Sequence, residues 1–304
     1  GDFFVTWSGP DVVGSGYDIF VRAYNSAGQA QTIEARINIT TEGNQQAPVV
    51  GMNSQGAVVF AWTTPDLVGF GTNIVGRALL PDGTLTGEFI VNSGTAGTPI
   101  GTAGIQRNPA IGVDLSGDFV IAWSSAGQDG SGYGIYAQRY NAAAVPQGTE
   151  FQVNVSTVGN QEMPSVTLDH NGDFIIAWSG NGTQADAEDQ SGIFARRFAA
   201  DGTPLLPPLG ADGIDEFRVN TTIVGTQQFA SVGVDGEGDF VIAWTGNGIG
   251  ETGSTAPGVF GRLFNISSDD AGPIVTDVQV ADQQLRFGDV LTNSFTQMKV
   301  IFSE

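Results

Sequence analysis

The amino-acid sequence predicts an all-β fold, a β-propeller of about five four-stranded blades, and three observations carry that reading. The heptapeptide Gly117-Asp-Phe-Val-Ile-Ala-Trp123 recurs as Gly172 to Trp178 and Gly238 to Trp244, and more loosely as Gly1 to Trp7 and Gly56 to Trp62. All five tryptophans fall in that register, at intervals of 55, 61, 55 and 66 residues, too long for a solenoid coil and suited to a four-stranded sheet per repeat. The segment is apolar on both faces, with Phe119, Ile121 and Trp123 on one and Val120 and Ala122 on the other, as a strand covered by two neighbouring sheets must be. No stretch sustains a 3.6-residue apolar period, so helix content is expected to be very low.

Four strands are read within each repeat. Strand a follows a Gly-x-Gln step, as in Gly159-Asn-Gln161, and runs from Pro164 to Asp169. A turn of the type Asp169-His-Asn-Gly-Asp173, matched by Asp114 to Asp118 and Asp235 to Asp239, reverses the chain into the tryptophan-bearing strand b. Strand c is Ile135 to Tyr140, with counterparts Ile19 to Tyr24, Ile74 to Leu79, Ile193 to Phe198 and Val259 to Phe264. Strand d is Glu150 to Asn154, matched by Glu34 to Asn38, Glu88 to Asn92 and Glu216 to Asn220. Arg22, Arg77, Arg196 and Arg262 share one position on strand c, where the Glu opening strand d is expected to pair with them for well under ~1 kcal/mol each. The repeats occupy residues 1–265. The first opens on strand b without its strand a, and the fifth lacks the strand d motif. Residues 266–304 read as a linker with incomplete further strands; either Ile274 to Val280 closes the ring or strands from outside this segment do.

Composition narrows the function classes. The 304 residues are 40% apolar, enough for a sizeable core, and 32 acidic against 11 basic side chains give a net charge of −21. Such a surface repels a phosphate backbone, which argues against a nucleic-acid partner. The apolar runs never reach the length of a membrane helix, so membrane insertion by helices is not expected. Cysteine is absent and His170 is the sole histidine, which removes thiolate chemistry and argues against a Ser-His-Asp triad or a His-ligated zinc.

The run from Gly117 through Gly127-Gln-Asp-Gly-Ser-Gly-Tyr-Gly-Ile-Tyr-Ala-Gln-Arg-Tyr140 resembles repeats of very large secreted bacterial surface and adhesin-like proteins, which often also carry haemolysin-type calcium-binding repeats. In strand order and in the turn before strand b it is similar to TolB-like and WD40-like blades. The tail ending Met298-Lys-Val-Ile-Phe-Ser-Glu304 resembles the first strands of a bacterial Ig-like domain. The resemblance implies an extracellular or cell-surface location and a longer multidomain parent chain. Two departures stand out: Asn53-Ser-Gln-Gly-Ala57 replaces the acidic turn in the second repeat, and the calcium-binding nonapeptide is missing.

Four groups of residues are candidate sites. The loop between strands b and c holds Asp129 in the third repeat and Asp186, Glu188 and Asp189 in the fourth, carboxylates that could ligate Ca2+ or form a solvated acidic loop. The Asp-x-x-Gly-Asp turns suit calcium less than a tight hairpin whose Asp accepts backbone N–H groups and whose Gly takes positive φ. His170, inside one such turn, is read as exposed and inert. The tryptophans either stack on sugar rings at a rim or pack between blades with their N–H groups bonded. Gln45, Gln106, Gln161 and Gln227, just before strand a, either surround the mouth of an axial channel and bind a small polar ligand, or tie neighbouring blades together. Asn38, Asn154, Asn220 and Asn265 each begin an Asn-x-Ser/Thr triplet; the first three are read as strand-ending residues.

The inner strands show apolar or small residues, such as Ala110 to Val113 and Ala230 to Val234, with acids only at the turns. No catalytic residue is therefore assigned and enzymatic activity is not expected. The sequence reading is of a non-catalytic extracellular propeller module for adhesion to protein or glycan, with Ca2+ as its cofactor candidate; the alternative is a carbohydrate-binding, lectin-like propeller.

Overall fold

A computed structural model describes residues 1–10, 16–66, 71–80, 82–92, 104–181, 189–208, 211, 215–221, 223, 225–246, 258–266, 275–280, 283–285 and 298–302, with side chains for all of these except 189, 190 and those from 275 onward. The described residues contain strands and turns and no helix. The architecture is the expected β-propeller of about five antiparallel blades. The first has β1 (Phe3–Pro10), β2 (Tyr17–Tyr24) and β3 (Ala35–Arg36). The second has β4 (Gln46–Met52), β5 (Val58–Pro65), β6 (Thr72–Leu79) and β7 (Phe89–Ile90); the third has β8 (Gln106–Val113), β9 (Phe119–Ala126), β10 (Tyr133–Tyr140) and β11 (Phe151–Gln152). The fourth has β12 (Gln161–Leu168), β13 (Phe174–Gly180), β14 (Asp189–Phe198), β15 (Pro204–Leu205) and β16 (Glu216–Arg218), and the fifth has β17 (Gly225–Val234), β18 (Phe240–Gly246) and β19 (Gly258–Phe264). The second, third and fourth follow the order a-b-c-d, the first has strands b, c and d and the fifth strands a, b and c, and a short parallel pairing joins β14 to β17.

Two compact units divide the chain, one of residues 1–157 with 162–164, the other of 158–161 with 165–304. In the first unit, Val58, Phe60 and Trp62 of β5 pack on Ile19, Val21 and Ile37 of the preceding blade. Phe119, Ile121 and Trp123 of β9 repeat this against Val59, Ala61, Ile74 and Val91. In the second unit, Phe240, Ile242 and Trp244 of β18 cover Ile175, Ile193, Phe217 and Val219. One face of strand b thus meets the blade before it, and the alternation of the strand places every second side chain there. Cross-strand rings reinforce the sheets: Phe119 stacks on Tyr140, Phe174 on Phe198 and Phe240 on Phe264 at 4.7–4.9 Å, pairs worth about 0.5–1.5 kcal/mol each beyond their burial.

The acidic turns are hairpins. Asp114 Oδ1 accepts the N–H of Asp118 at 2.9 Å, Asp169 Oδ1 those of Asn171 and Asp173, and Asp235 Oδ1 those of Glu237 and Asp239. Asn53 does the same in the second blade, accepting from Gln55 and Ala57 at 3.0 Å, so its amide oxygen replaces a carboxylate without loss of the turn. Gly56, Gly117, Gly172 and Gly238 supply the required positive φ of 84–95°. The second Asp of each turn caps a different hairpin: Asp118, Asp173 and Asp239 accept from the N–H groups of Ala142, Ala200 and Ile266.

Arg77 and Glu88, expected as a strand c–strand d pair, have other partners. Arg77 donates to the carbonyls of Thr86 and Ile37, Arg262 to that of Val219 and Arg22 to that of Thr32, while Arg196 faces Asp215 at 3.6 Å. Glu88 instead accepts from the N–H groups of Ile39 and Thr40. Guanidinium donors here satisfy carbonyls that the two-residue strands β3 and β7 leave over. Beyond the repeats, β20 (Val275–Val280) pairs with β21 (Gln283–Leu285) and β22 (Met298–Phe302) in a three-stranded sheet.

Candidate functional site

Each complete inner strand opens with one glutamine and one irregularity. The side chains of Gln45, Gln106, Gln161 and Gln227 are 0–2% exposed. Their Oε1 atoms accept the indole N–H of Trp62, Trp123, Trp178 and Trp244 at 3.0–3.2 Å, always across a separation of 17 residues. These glutamines are therefore turned into the blades and not toward a channel mouth, because a buried indole N–H needs an acceptor. The same bonds correct the sugar-stacking reading of these four tryptophans, which are 0–8% exposed and sit in the packing between strands.

Two positions after each glutamine the backbone is left-handed at a residue with a side chain: Ala47, Asn108, Met163 and Phe229, with φ of 49–59°. The pairing of strands a and b shifts register there, between Gln46 and Val49, Arg107 and Ala110, and Gln228 and Ser231. Such a bulge costs about 1 kcal/mol or more in local strain and re-aims the side chain before it. Proline follows at 48, 109 and 164, where no ladder N–H is required. The freed N–H groups of Met163 and Phe229 donate to Ser124 and Ser179, each the residue after a tryptophan of strand b.

The re-aimed residues are Gln46, Arg107, Glu162 and Gln228, the variable position of an otherwise repeated step. Arg107 of β8 and Glu162 of β12 form an ion pair, with side chains 41% and 20% exposed. The Arg107 guanidinium carbon lies 3.8 Å from the ring centroid of Tyr133, at the start of β10. A carboxylate, a planar cation and an aromatic face thus meet at the bulge end of the inner strands. Glu162 is the one carboxylate on β4, β8, β12 and β17, so the expectation that acids lie only at the turns is corrected. The lone departure from the repeat after each glutamine was the available signal in the sequence.

Asp129 is engaged within its blade: its Oδ1 accepts from the N–H of Ser131 and its Oδ2 from Asn154 Nδ2, and it fills the space beside Gly134. Asp186 and Glu188 lie outside the described residues, as does the side chain of Asp189. Among the described residues no group of three or more His, Asp or Glu side chains gathers to hold a metal. His170 is exposed and lies against Gly236 of the next turn.

Neither a protein-family model nor a curated protein matches the sequence. Solved structures do. An exo-1,5-α-L-arabinanase from a bovine ruminal metagenomic library is 11% identical, with a TM-score of 0.46 over 88% of this chain and 91% of its own. A thermostable family-43 glycoside hydrolase is 12% identical, with a TM-score of 0.46 over 98% and 96%. An endo-arabinase from Bacteroides thetaiotaomicron is 15% identical, with a TM-score of 0.42 over 87% and 94%. At these identities the likeness is one of fold. All three are glycoside hydrolases by name, and on that finding the expectation of a non-catalytic adhesion module without enzymatic activity is corrected. The physical basis of that expectation, an inner strand set without carboxylates, fails at Glu162.

Proposed function

We propose that this chain is a carbohydrate-active propeller whose glycan site lies at the bulge end of its inner strands, with Glu162 as an acting carboxylate. The observation that carries the reading is the Arg107–Glu162–Tyr133 cluster, partly open to solvent on an otherwise uncharged set of inner strands. The chemistry suits a saccharide. The Tyr133 ring offers a face for the C–H side of a sugar, Arg107 presents several donors to hydroxyl oxygens and fixes the carboxylate, and Glu162 accepts hydroxyl protons. Hydrolysis of a glycoside takes two carboxyl groups about 5–9.5 Å apart, one protonating the leaving oxygen and one serving the anomeric carbon or its water. Glu162 fills one of these two roles.

The test is release of reducing sugar from arabinan, the polymer that the names of the arabinanase and endo-arabinase suggest. The folded chain is expected to release sugar, and Glu162→Gln, with an unchanged near-ultraviolet dichroism spectrum, to lose at least about 100-fold in kcat. Tyr133→Ala is expected to raise KM more than it lowers kcat. Absence of both sugar release and saturable glycan binding by the folded wild-type chain would sink the reading.

A further inference from the structure

The bulge of β8 holds polar groups that its neighbours leave unmet. In the third and fourth blades the residue after the strand b tryptophan closes the bulge of the next blade: the hydroxyls of Ser124 and Ser179 accept the N–H groups of Met163 and Phe229 at 3.2 and 3.0 Å. Thr63 occupies that position in β5, opposite Gln46 as Ser124 is opposite Arg107. By the alternation of the strand it shares a face with Val59 and Ala61, whose core includes Ile111 and Val113 of β8. Yet Thr63 is 8% exposed and its Oγ1 is buried without a hydrogen-bond partner among the described residues. Arg107 gives one terminal nitrogen to Glu162, while its Nε is buried and unpaired in the same way. Asn108, left-handed at φ 55° and half-buried, places an amide at the same bulge. Each buried group that gives up water without a replacement costs stability. Unmet groups kept together with backbone strain mark a place where a ligand supplies the missing bonds.

We propose, resting on the glycan reading of the adjoining Arg107–Glu162–Tyr133 cluster, that the β8 bulge is a hydroxyl-binding subsite for an uncharged sugar. Thr63 Oγ1 accepts the proton of one sugar hydroxyl, Arg107 Nε–H donates to the oxygen of that hydroxyl, and the Asn108 amide holds the hydroxyl next to it on the ring. Arg107 is the way in: its side chain is 41% exposed, and its swing uncovers Nε and Thr63 together. The ligand class follows from charge. Glu162 already neutralises Arg107, and a net charge of −21 repels an acidic sugar, so a neutral diol is what the subsite fits.

The experiment takes the intact chain, measures arabinan binding by calorimetry, and follows thermal unfolding without ligand. Thr63→Val removes the hydroxyl at nearly constant shape and is expected to weaken arabinan binding about tenfold. Its Tm without ligand is expected to equal or exceed that of the wild type, because an unpaired buried hydroxyl is gone. Ser124→Ala, which removes a bonded hydroxyl, is expected to lower Tm by about 2–4 °C. Asn108→Gly keeps the left-handed backbone and is expected to weaken binding about fivefold. A Thr63→Val chain less stable than wild type would overturn the proposal, since the hydroxyl would then have a structural partner such as a trapped water. Equal arabinan binding by Thr63→Val and the wild type would overturn it too. A wild-type chain that neither binds nor cleaves arabinan would instead remove the glycan reading, and this subsite with it.

Discussion

Asn154 shows what a single buried amide does in each blade. Its Oδ1 accepts the N–H of Ile135 at 2.7 Å while its Nδ2 donates to the carbonyl of Ser156, and Asn38, Asn92 and Asn220 hold the N–H groups of Ile19, Ile74 and Ile193 in the same way. The short strand d cannot reach that N–H with its own backbone, so the side chain extends the ladder by one bond. Asn154→Ala is expected to destabilise the chain by about 1–3 kcal/mol, the cost of leaving a buried donor unmet, seen as a lower urea midpoint at unchanged slope. These asparagines were legible in the sequence as strand-ending positions. Their partners were not, because the pattern repeats along the chain while the bond is made across it.

At the scale of the element, the turn between strands a and b was legible almost completely: Asp and Gly at fixed offsets have one economical way to satisfy the backbone. What the sequence concealed is how buried one of these acids is. Burial pushes the Asp169 carboxyl above the usual carboxylate range, the N–H of Asn171 pulls it back, and the charge of Asp173 pushes it up again. A raised pKa in the folded state means that folding favours the protonated acid; stability from this group is present at low pH and lost as pH rises through the folded value. Asp169→Asn, the choice already made at Asn53, is therefore expected to raise Tm at pH 7, with the gain shrinking as the pH falls into the carboxylate range. A mutant less stable than wild type at pH 7 would show that the charged form is what the turn uses. The bulge of strand a, by contrast, was illegible. Nothing in Gln-Arg-Asn-Pro announces a left-handed Asn108, which is set by the register of β9 and the close neighbouring blade.

Across the whole molecule, the blade cores contain hydroxyls that must stay neutral. Burial first, then the charges of Asp129 and Glu150, push Tyr136 up to about 12, and burial with Glu150 pushes Tyr140 up as well. The unfolded phenols ionise near 10, so the stability they contribute is intact below that pH and is lost as pH rises from about 10 towards the folded values. Alkaline unfolding followed by far-ultraviolet dichroism is expected to begin in this window, and Tyr136→Phe to move its midpoint to higher pH. A midpoint that does not move would place the alkaline failure elsewhere.

The sequence by itself determined the blade: strand order, the hairpin turns, the doubly covered tryptophan strand and the propeller that follows from repeating them. Local patterns suffice for these, since alternation and turn chemistry act within a few residues. Only the tertiary structure decided which groups meet. Gln106 reaches Trp123 and not a channel, Arg77 reaches the Ile37 carbonyl and not Glu88, and Arg107 finds Glu162 across 55 residues. The first pair is made across two strands of one blade and the other two by blades packing side by side, and a repeat whose copies differ at one position gives no hint of which differing residues will become neighbours.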